Sequence, residues 1–305
     1  MNGRLAEKIQ EFSSTFDAAR RVWDRRAGLT IDYQALGSKP FDAMMFFTMY
    51  AHERPFSNPR YPVAHRIAIL KSIGASDTRD PGVNAKFANK YDEPGFPQAV
   101  WSDFKRLLGV ANRDEETRER MEKYTKGPVY AILEKLRDEE EPNVVTFLTS
   151  MTLRDAYEFL KRIDGIGHKI AALFLRDARS YFGGWHNAEN SDLCCVQPVD
   201  RWVRELAKKC WSNVNTSQDA EKIAGEIVRH CLEQEIDPIA FNKGAWLLGA
   251  HFQKLCGFFN IETTMRLSDT GTLNYEAMDR FAPSVLRKAI EALGKAEDTG
   301  EVYPL

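Results

Sequence analysis

The sequence has no apolar run approaching the roughly 18–20 residues that cross a bilayer, which excludes a spanning helix. Its polar, amphipathic start, MNGRLAEKIQEFSSTFDAARRVW, lacks the pattern of a secretory signal. Both features predict a cytoplasmic protein without a membrane partner. Cysteine is scarce: Cys194, Cys195, Cys210, Cys231 and Cys256 form an odd set without a CxxC pair. Reduced thiols are expected, and neither an iron–sulfur cluster nor a structural zinc. The six histidines supply no HExxH pair, so no metal site is expected. Nucleotide-cradling glycine motifs are missing too, neither GxxxxGK[ST] nor GxGxxG after a strand, which ranks group transfer to a base last among DNA-directed activities. Excess charge of one sign is also absent. A net charge of −2 argues against blanket attraction to nucleic acid but leaves room for charges segregated by face. The acidic run Asp138–Glu141, followed by Pro142, reads as a solvated helix end. No internal repeat or low-complexity tract occurs.

What is present is helical periodicity. The chain of 305 residues is long enough for one large domain or two lobes around a substantial core. Apolar residues recur at helical spacing through Leu5–Arg26, Phe41–His52, Val63–Ile73, Phe96–Leu108, Asp114–Tyr124 and Pro128–Arg137. The same spacing returns in Thr152–Arg162, Ile170–Phe182, Asp200–Cys210, Ser217–Gln234, Pro238–Phe259 and Ala282–Leu293. Residues 74–97, rich in glycine and proline, read as irregular, and the short apolar run Val144–Ser150 suits a strand or a helix. The expected class is all-α. Three regions are expected: an N-terminal helical lobe over 1–140, a core over 141–262, and a C-terminal helical extension over 263–305 that packs on the N-terminal lobe.

Within the core, IDGIGHKIAA at Ile163–Ala172 interrupts an apolar helical pattern with Gly165 and Gly167. Glycine admits backbone conformations that a β-carbon forbids, and small residues leave neighbouring amides uncovered. Those amides open the next helix, where the dipole favours an anion. A turn built from Gly165, Ile166, Gly167 and His168 can therefore hold one DNA phosphate without reading sequence. A bare GxG would suit a tight turn between packed helices just as well. The longer pattern, L-x-x-I-x-G-I-G-x-K-x-A-x-x-F-L, is more specific. Downstream, VQPVDRWVREL places Asp200 at a helix start, where an aspartate is a favoured N-cap.

Residues 153–175 resemble the helix-hairpin-helix of the HhH-GPD superfamily of DNA glycosylases, to which endonuclease III and 8-oxoguanine DNA glycosylase belong. The resemblance covers about residues 150–256 and departs from the common pattern in three ways. Asp164 stands where many members carry proline. Lys169 and Asp200 are 31 residues apart, a longer spacing than usual, with the insertion around Gly183-Gly184-Trp185-His186 between them. The cysteine cluster of some members is missing. The likeness implies a two-lobed helical fold and DNA as partner. It implies that Asp200 stabilises positive charge on the deoxyribose as the N-glycosidic bond breaks, and activates water. Lys169 matches the lysine with which bifunctional members form a Schiff base and cleave the strand; it serves equally as a phosphate contact. No metal or organic cofactor is implied, other than a monovalent cation held by hairpin carbonyls. FNKGAWLLGAHFQKLC resembles the helix that packs behind the aspartate, with Gly244 and Gly249 allowing close approach.

Such chemistry on a duplex requires base flipping into a pocket. Tyr50, His52 and Trp202 are the candidate pocket residues, while most of the FDAMMFFTMYAH segment suits a core. That aromatic helix and the ERPFSNPR that follows it also resemble HhH-GPD relatives linked to hypermodified phage bases, among them alpha-glutamyl/putrescinyl thymine pyrophosphorylases and phage-defence glycosylases. The expected function is release of a bulky modified pyrimidine from phage DNA by a monomeric hydrolase. The alternatives are repair of an oxidised purine such as 8-oxoguanine with lyase activity, or a helix-hairpin-helix module that binds DNA without chemistry.

Overall fold

Apolar residues at a spacing of three to four pull most of the chain into helices that bury one face. The computed structural model describes residues 3–26, 31–51, 60–110, 113–121 and 127–248. Every α-helix or 3₁₀ helix among them is accounted for without a strand, so the class is all-α. The helices are α1 (Gly3–Glu11), α2 (Ser13–Arg26), α3 (Pro40–Ala51), α4 (Arg60–Ser72), α5 (Val83–Ala88), α6 (Phe96–Leu107) and α7 (Glu115–Met121). They continue with α8 (Gly127–Asp138), α9 (Val144–Thr149), α10 (Leu153–Lys161), α11 (His168–Phe182), α12 (Arg201–Cys210), α13 (Ala220–Glu233) and α14 (Pro238–Trp246). Two 3₁₀ helices, Tyr33–Ser38 and Asn190–Val196, complete the set. No described helix is long and apolar enough to cross a membrane.

The described residues divide into two compact units, one of residues 24–196 and one of residues 3–23 with 197–248. The second unit joins two separate stretches of the chain. The region 263–305, including the helix expected at Ala282–Leu293, lies outside the described residues.

In the unit of 24–196, α3 buries every residue except Asp42, so it is a central helix rather than a surface one. It packs against α4, α5, α8, α9 and α11. Phe46, Tyr50 and Phe174 meet edge-on or tilted, with ring centroids 5.1–5.6 Å apart, a favourable spacing for aromatic pairs. Helices α4 and α6 pack together, with His65 stacked 3.8 Å from the Phe104 ring. Val144–Thr149 is a helix, which settles the choice between strand and helix. Asn143 decides it: its side chain accepts from the Val145 and Thr146 amides and its Nδ2 donates to the Leu36 carbonyl at 2.7 Å. That cap outweighs the β-branched character of VVT. Residues 74–97 also contain the short helix α5.

In the other unit, α1 lies against α14 and α12, and α14 also packs on α13. The α1–α14 approach depends on Gly244, because a β-carbon there would overlap the Ile9 carbonyl oxygen. Lys243, nearly buried, reaches Asp17 at 2.8 Å, and Phe16 meets Trp246 at 5.7 Å. Trp211 packs between His230 and Phe241, at 5.3 and 5.0 Å. The N-terminal periodic segment is two helices, not one; the chain turns at Phe12.

Candidate functional site

The hairpin lies in the unit of 24–196. Thr152 opens α10 as an N-cap: its hydroxyl accepts from the Asp155 amide at 3.1 Å. Leu153, Ala156, Tyr157 and Leu160 form the buried face of α10, which packs on α11. The turn between the helices closes through the Ile166 amide donating to the Ile163 carbonyl at 3.0 Å, with Ile166 buried as its anchor. Gly165 has φ +87°, a conformation that side chains disfavour by roughly 1–2 kcal/mol. Gly167 is different. Its φ of −91° and ψ of −178° are extended backbone open to any residue, so this glycine is not required by conformation. Gly167 is the N-cap of α11, and its carbonyl accepts from the Ile170 and Ala171 amides, both at 3.1 Å. A β-carbon there would meet nothing within 4 Å. What glycine provides is a helix start with no side-chain cap over its first amides.

Around that helix start, His168 is half-buried and held by Tyr157, whose hydroxyl is 2.6 Å from Nδ1. Lys161 sits 4.9 Å from the centre of the Tyr157 ring. Lys169 is half-buried, with no ion-pair partner among the described residues. On the other side, the Asp164 backbone approaches α8 so closely that a β-carbon at Gly127 would lie 2.7 Å from the Asp164 oxygen. Of the turn carbonyls, those of Ile163 and Gly167 accept backbone N–H groups and that of Asp164 faces Gly127. No group of three or more His, Cys, Asp or Glu among the described residues could hold a metal ion.

Asp200 lies in the other unit. It is the N-cap of α12: Oδ1 accepts from the Val203 amide at 2.9 Å, and the Asp200 carbonyl accepts from the Arg204 amide at 3.1 Å. The side chain is half-exposed. The approach to it is fixed from behind by α14, where buried Asn242 donates from Nδ2 to the Pro198 carbonyl at 3.2 Å. The packing of α14 on α12 is the arrangement expected of the FNKGAW segment, and Gly244 makes the close approach expected of it, although onto α1. Gly249 lies outside the described residues. Beyond Asp200, the exposed side of α12 carries Arg201, Lys208 and Lys209. Arg201 pairs with Glu205 at 3.0 Å and covers the half-buried Trp202 ring at 5.4 Å.

Tyr50 is a core residue. Only 1% of it is exposed, and its hydroxyl donates to Asp177 Oδ2 at 2.7 Å, leaving no open ring face. His52 lies outside the described residues. Sequence reasoning passed over the group behind Tyr50: Arg176 and Asp177, both fully buried, with Arg176 Nε 2.7 Å from Asp177 Oδ1. Burying a carboxylate is costly unless charge and hydrogen bonds compensate, and here an arginine and a tyrosine do so. The available signal was an Arg-Asp pair inside the apolar run AALFLRDA.

No family model matches the chain, and no solved structure matches it. Among known proteins it is similar to the uncharacterized protein MJECL21 of Methanocaldococcus jannaschii, 34% identical over 83 residues. That stretch is 26% of this chain and spans only 19% of the archaeal protein.

Proposed function

We propose that the chain is a helix-hairpin-helix DNA glycosylase of the HhH-GPD type, two-lobed, that hydrolyses the N-glycosidic bond of a modified base. The observation that supports it is the start of α11: a left-handed Gly165, a first turn after Gly167 with no side-chain cap, and Lys169, which has no ion-pair partner among the described residues. Unsatisfied amides at a helix N-terminus attract a phosphate oxygen through both hydrogen bonding and the dipole. Lys169 adds a positive charge at the same turn. The contact reads no bases, so it tolerates a protein whose net charge is near zero.

The chemical step is assigned to Asp200. As the bond to the departing base breaks, positive charge grows on the deoxyribose; a carboxylate beneath it stabilises that charge and orients or deprotonates the attacking water. Removing one preorganised charge of this kind costs about 3–4 kcal/mol, or roughly 10²–10³-fold in rate. Oδ1 is engaged with the Val203 amide, so this reading assigns the contact with substrate to Oδ2. A bulky modified pyrimidine is the proposed base, and the Trp202 ring is the candidate face for it. Lys169 attacks C1′ in the lyase variant of the reaction, with 8-oxoguanine as the alternative substrate.

A second reading has its own support. Asp200 makes a complete N-cap, which a DNA-binding module without chemistry would equally use. The test is release of free base, read by mass spectrometry, from duplexes carrying a lesion panel and from phage DNA bearing modified cytosine or thymine. Release of one base class supports the glycosylase. Intact DNA binding with no base released from any substrate overturns it in favour of the binding module.

A further inference from the structure

In the unit that holds Asp200, positive charge is gathered on α12. Val203, Leu206, Ala207 and Cys210 form the buried face of that helix. Its remaining positions carry Arg201, Arg204, Lys208 and Lys209 against a single acid, Glu205. At 3.6 residues per turn all four cations fall outside the buried face, with Arg201 and Lys208 opposite its centre. The next helix, α13, is built differently. Lys222 pairs with Asp219 at 3.4 Å and Arg229 with Glu233 at 3.0 Å, so its lysine and arginine are neutralised locally. On α12, Arg201 pairs with Glu205, but Lys208 and Lys209 are exposed and have no acid partner among the described residues. The helix dipole favours lysines in a last turn and disfavours a cation in a first turn. It therefore does not account for Arg201, which stands beside Asp200 with its side chain 78% exposed.

The loop after α12 extends this face. Arg204 folds it back onto the helix: Nη1 donates to the Thr216 and Gln218 carbonyls at 3.0 and 2.8 Å. Trp211 and Val214 anchor the loop by burial. Ser212 and Asn213 stay exposed beyond Lys209. No acid follows until Asp219, whose carboxylate already accepts from the Lys222 amide at 2.9 Å.

We propose that the exposed face of α12, continued by Ser212 and Asn213, is a second contact with the backbone of duplex DNA, alongside the nucleotide that Asp200 addresses. The inference rests on the reading of Asp200 as facing DNA. Seven residues of helix, Arg201 to Lys208, rise about 10.5 Å. Phosphates of one strand advance about 3.4 Å each along the duplex axis, so the face spans roughly three of them. Such a line of cations suits a repeating anion better than a single small one, which would occupy only one end. Lys208 and Lys209 neutralise phosphates, and Ser212 and Asn213 donate to phosphate oxygens. These contacts read no bases; they fix the strand along the helix that Asp200 opens.

The test is the affinity of the full chain for a duplex of arbitrary sequence, by fluorescence anisotropy from about 50 to 400 mM salt, with thermal unfolding recorded alongside. Each phosphate contact adds about 0.9 to the slope of log affinity against log salt. The double variant Lys208→Ala/Lys209→Ala should therefore lower the slope by about 1.8 and weaken binding roughly 60-fold at about 0.1 M salt, counted from 1 M. Lys208→Arg/Lys209→Arg should keep both quantities, and Lys222→Ala/Arg229→Ala on α13 should bind within twofold of the wild type. If the alanine pair folds poorly, Lys209→Ala alone should still lower the slope by about 0.9. An unchanged slope with affinity within twofold, while Gly167→Ser weakens binding, overturns this inference and leaves the proposed function standing. A loss that the arginine pair does not restore also overturns it, because the contact would then not depend on charge. A wild type that fails to bind duplex DNA at the lowest salt overturns both.

Discussion

Gly167→Ser separates the two things a glycine at the start of α11 can do. The backbone there, φ −91° and ψ −178°, suits serine, and a β-carbon meets nothing within 4 Å. Serine is at least as good an N-cap as glycine, by a few tenths of a kcal/mol. Folding should therefore be unchanged or slightly stabilised, with a shift in Tm of about 1 °C or less. The hydroxyl, however, would bond to the amides of the first turn, at the position proposed for a phosphate oxygen. Losing a hydrogen bond to a charged group costs about 1.5–3 kcal/mol, so affinity for duplex DNA should fall roughly 10- to 150-fold. Because the contact reads no bases, the loss should be the same on unrelated sequences. Fluorescence anisotropy at a fixed salt concentration, paired with thermal unfolding, measures both quantities. A variant that folds normally and binds DNA within twofold of the wild type would refute the assignment of this turn to a phosphate.

Two further outcomes test the interior and the chemistry. Tyr50→Phe removes a donor from the buried Asp177 carboxylate, at a cost of about 1–3 kcal/mol, read from denaturant unfolding; an unchanged midpoint would show that the Tyr50 hydroxyl contributes nothing. If Lys169 is the Schiff-base nucleophile, borohydride should trap a covalent protein–DNA adduct that Lys169→Ala cannot form. If it contacts phosphate, no adduct forms and Lys169→Ala weakens binding and lowers the salt slope by about one.

Local chemistry was legible in the sequence and long-range pairing was not. The caps at Thr152 and Asp200 follow from residue type at the start of a periodic segment, and both make the expected side-chain bonds. The left-handed Gly165 is likewise legible, since only glycine occupies that conformation at little cost. Gly167 is not distinguishable from it by spacing, yet its backbone is ordinary; only coordinates separate a strained glycine from a merely small one. Val144–Thr149 carries strand-forming residues, and the Asn143 cap and burial overrode them. Boundaries drawn along the chain could not show that α1 belongs with α14, more than two hundred residues on, because nothing in the Ile9 neighbourhood announces that its carbonyl faces Gly244. Tyr50 drew notice as an aromatic residue for a base pocket, but its partner Asp177 sits in an apolar helix where a carboxylate has no obvious use.

The central claim is that Asp200 does chemistry as well as capping, and Asp200→Asn tests it most directly. Asparagine caps a helix as well as aspartate, so it can keep the bond to the Val203 amide, and the lost charge at the helix start costs about 0.3–1 kcal/mol. The measurement is single-turnover release of free base by wild type and Asp200→Asn on the same modified DNA, with DNA affinity and thermal stability recorded alongside. The account predicts near-native folding and binding with base release reduced roughly 10²–10³-fold. Release by Asp200→Asn within tenfold of the wild type would contradict it and leave Asp200 as a helix cap alone.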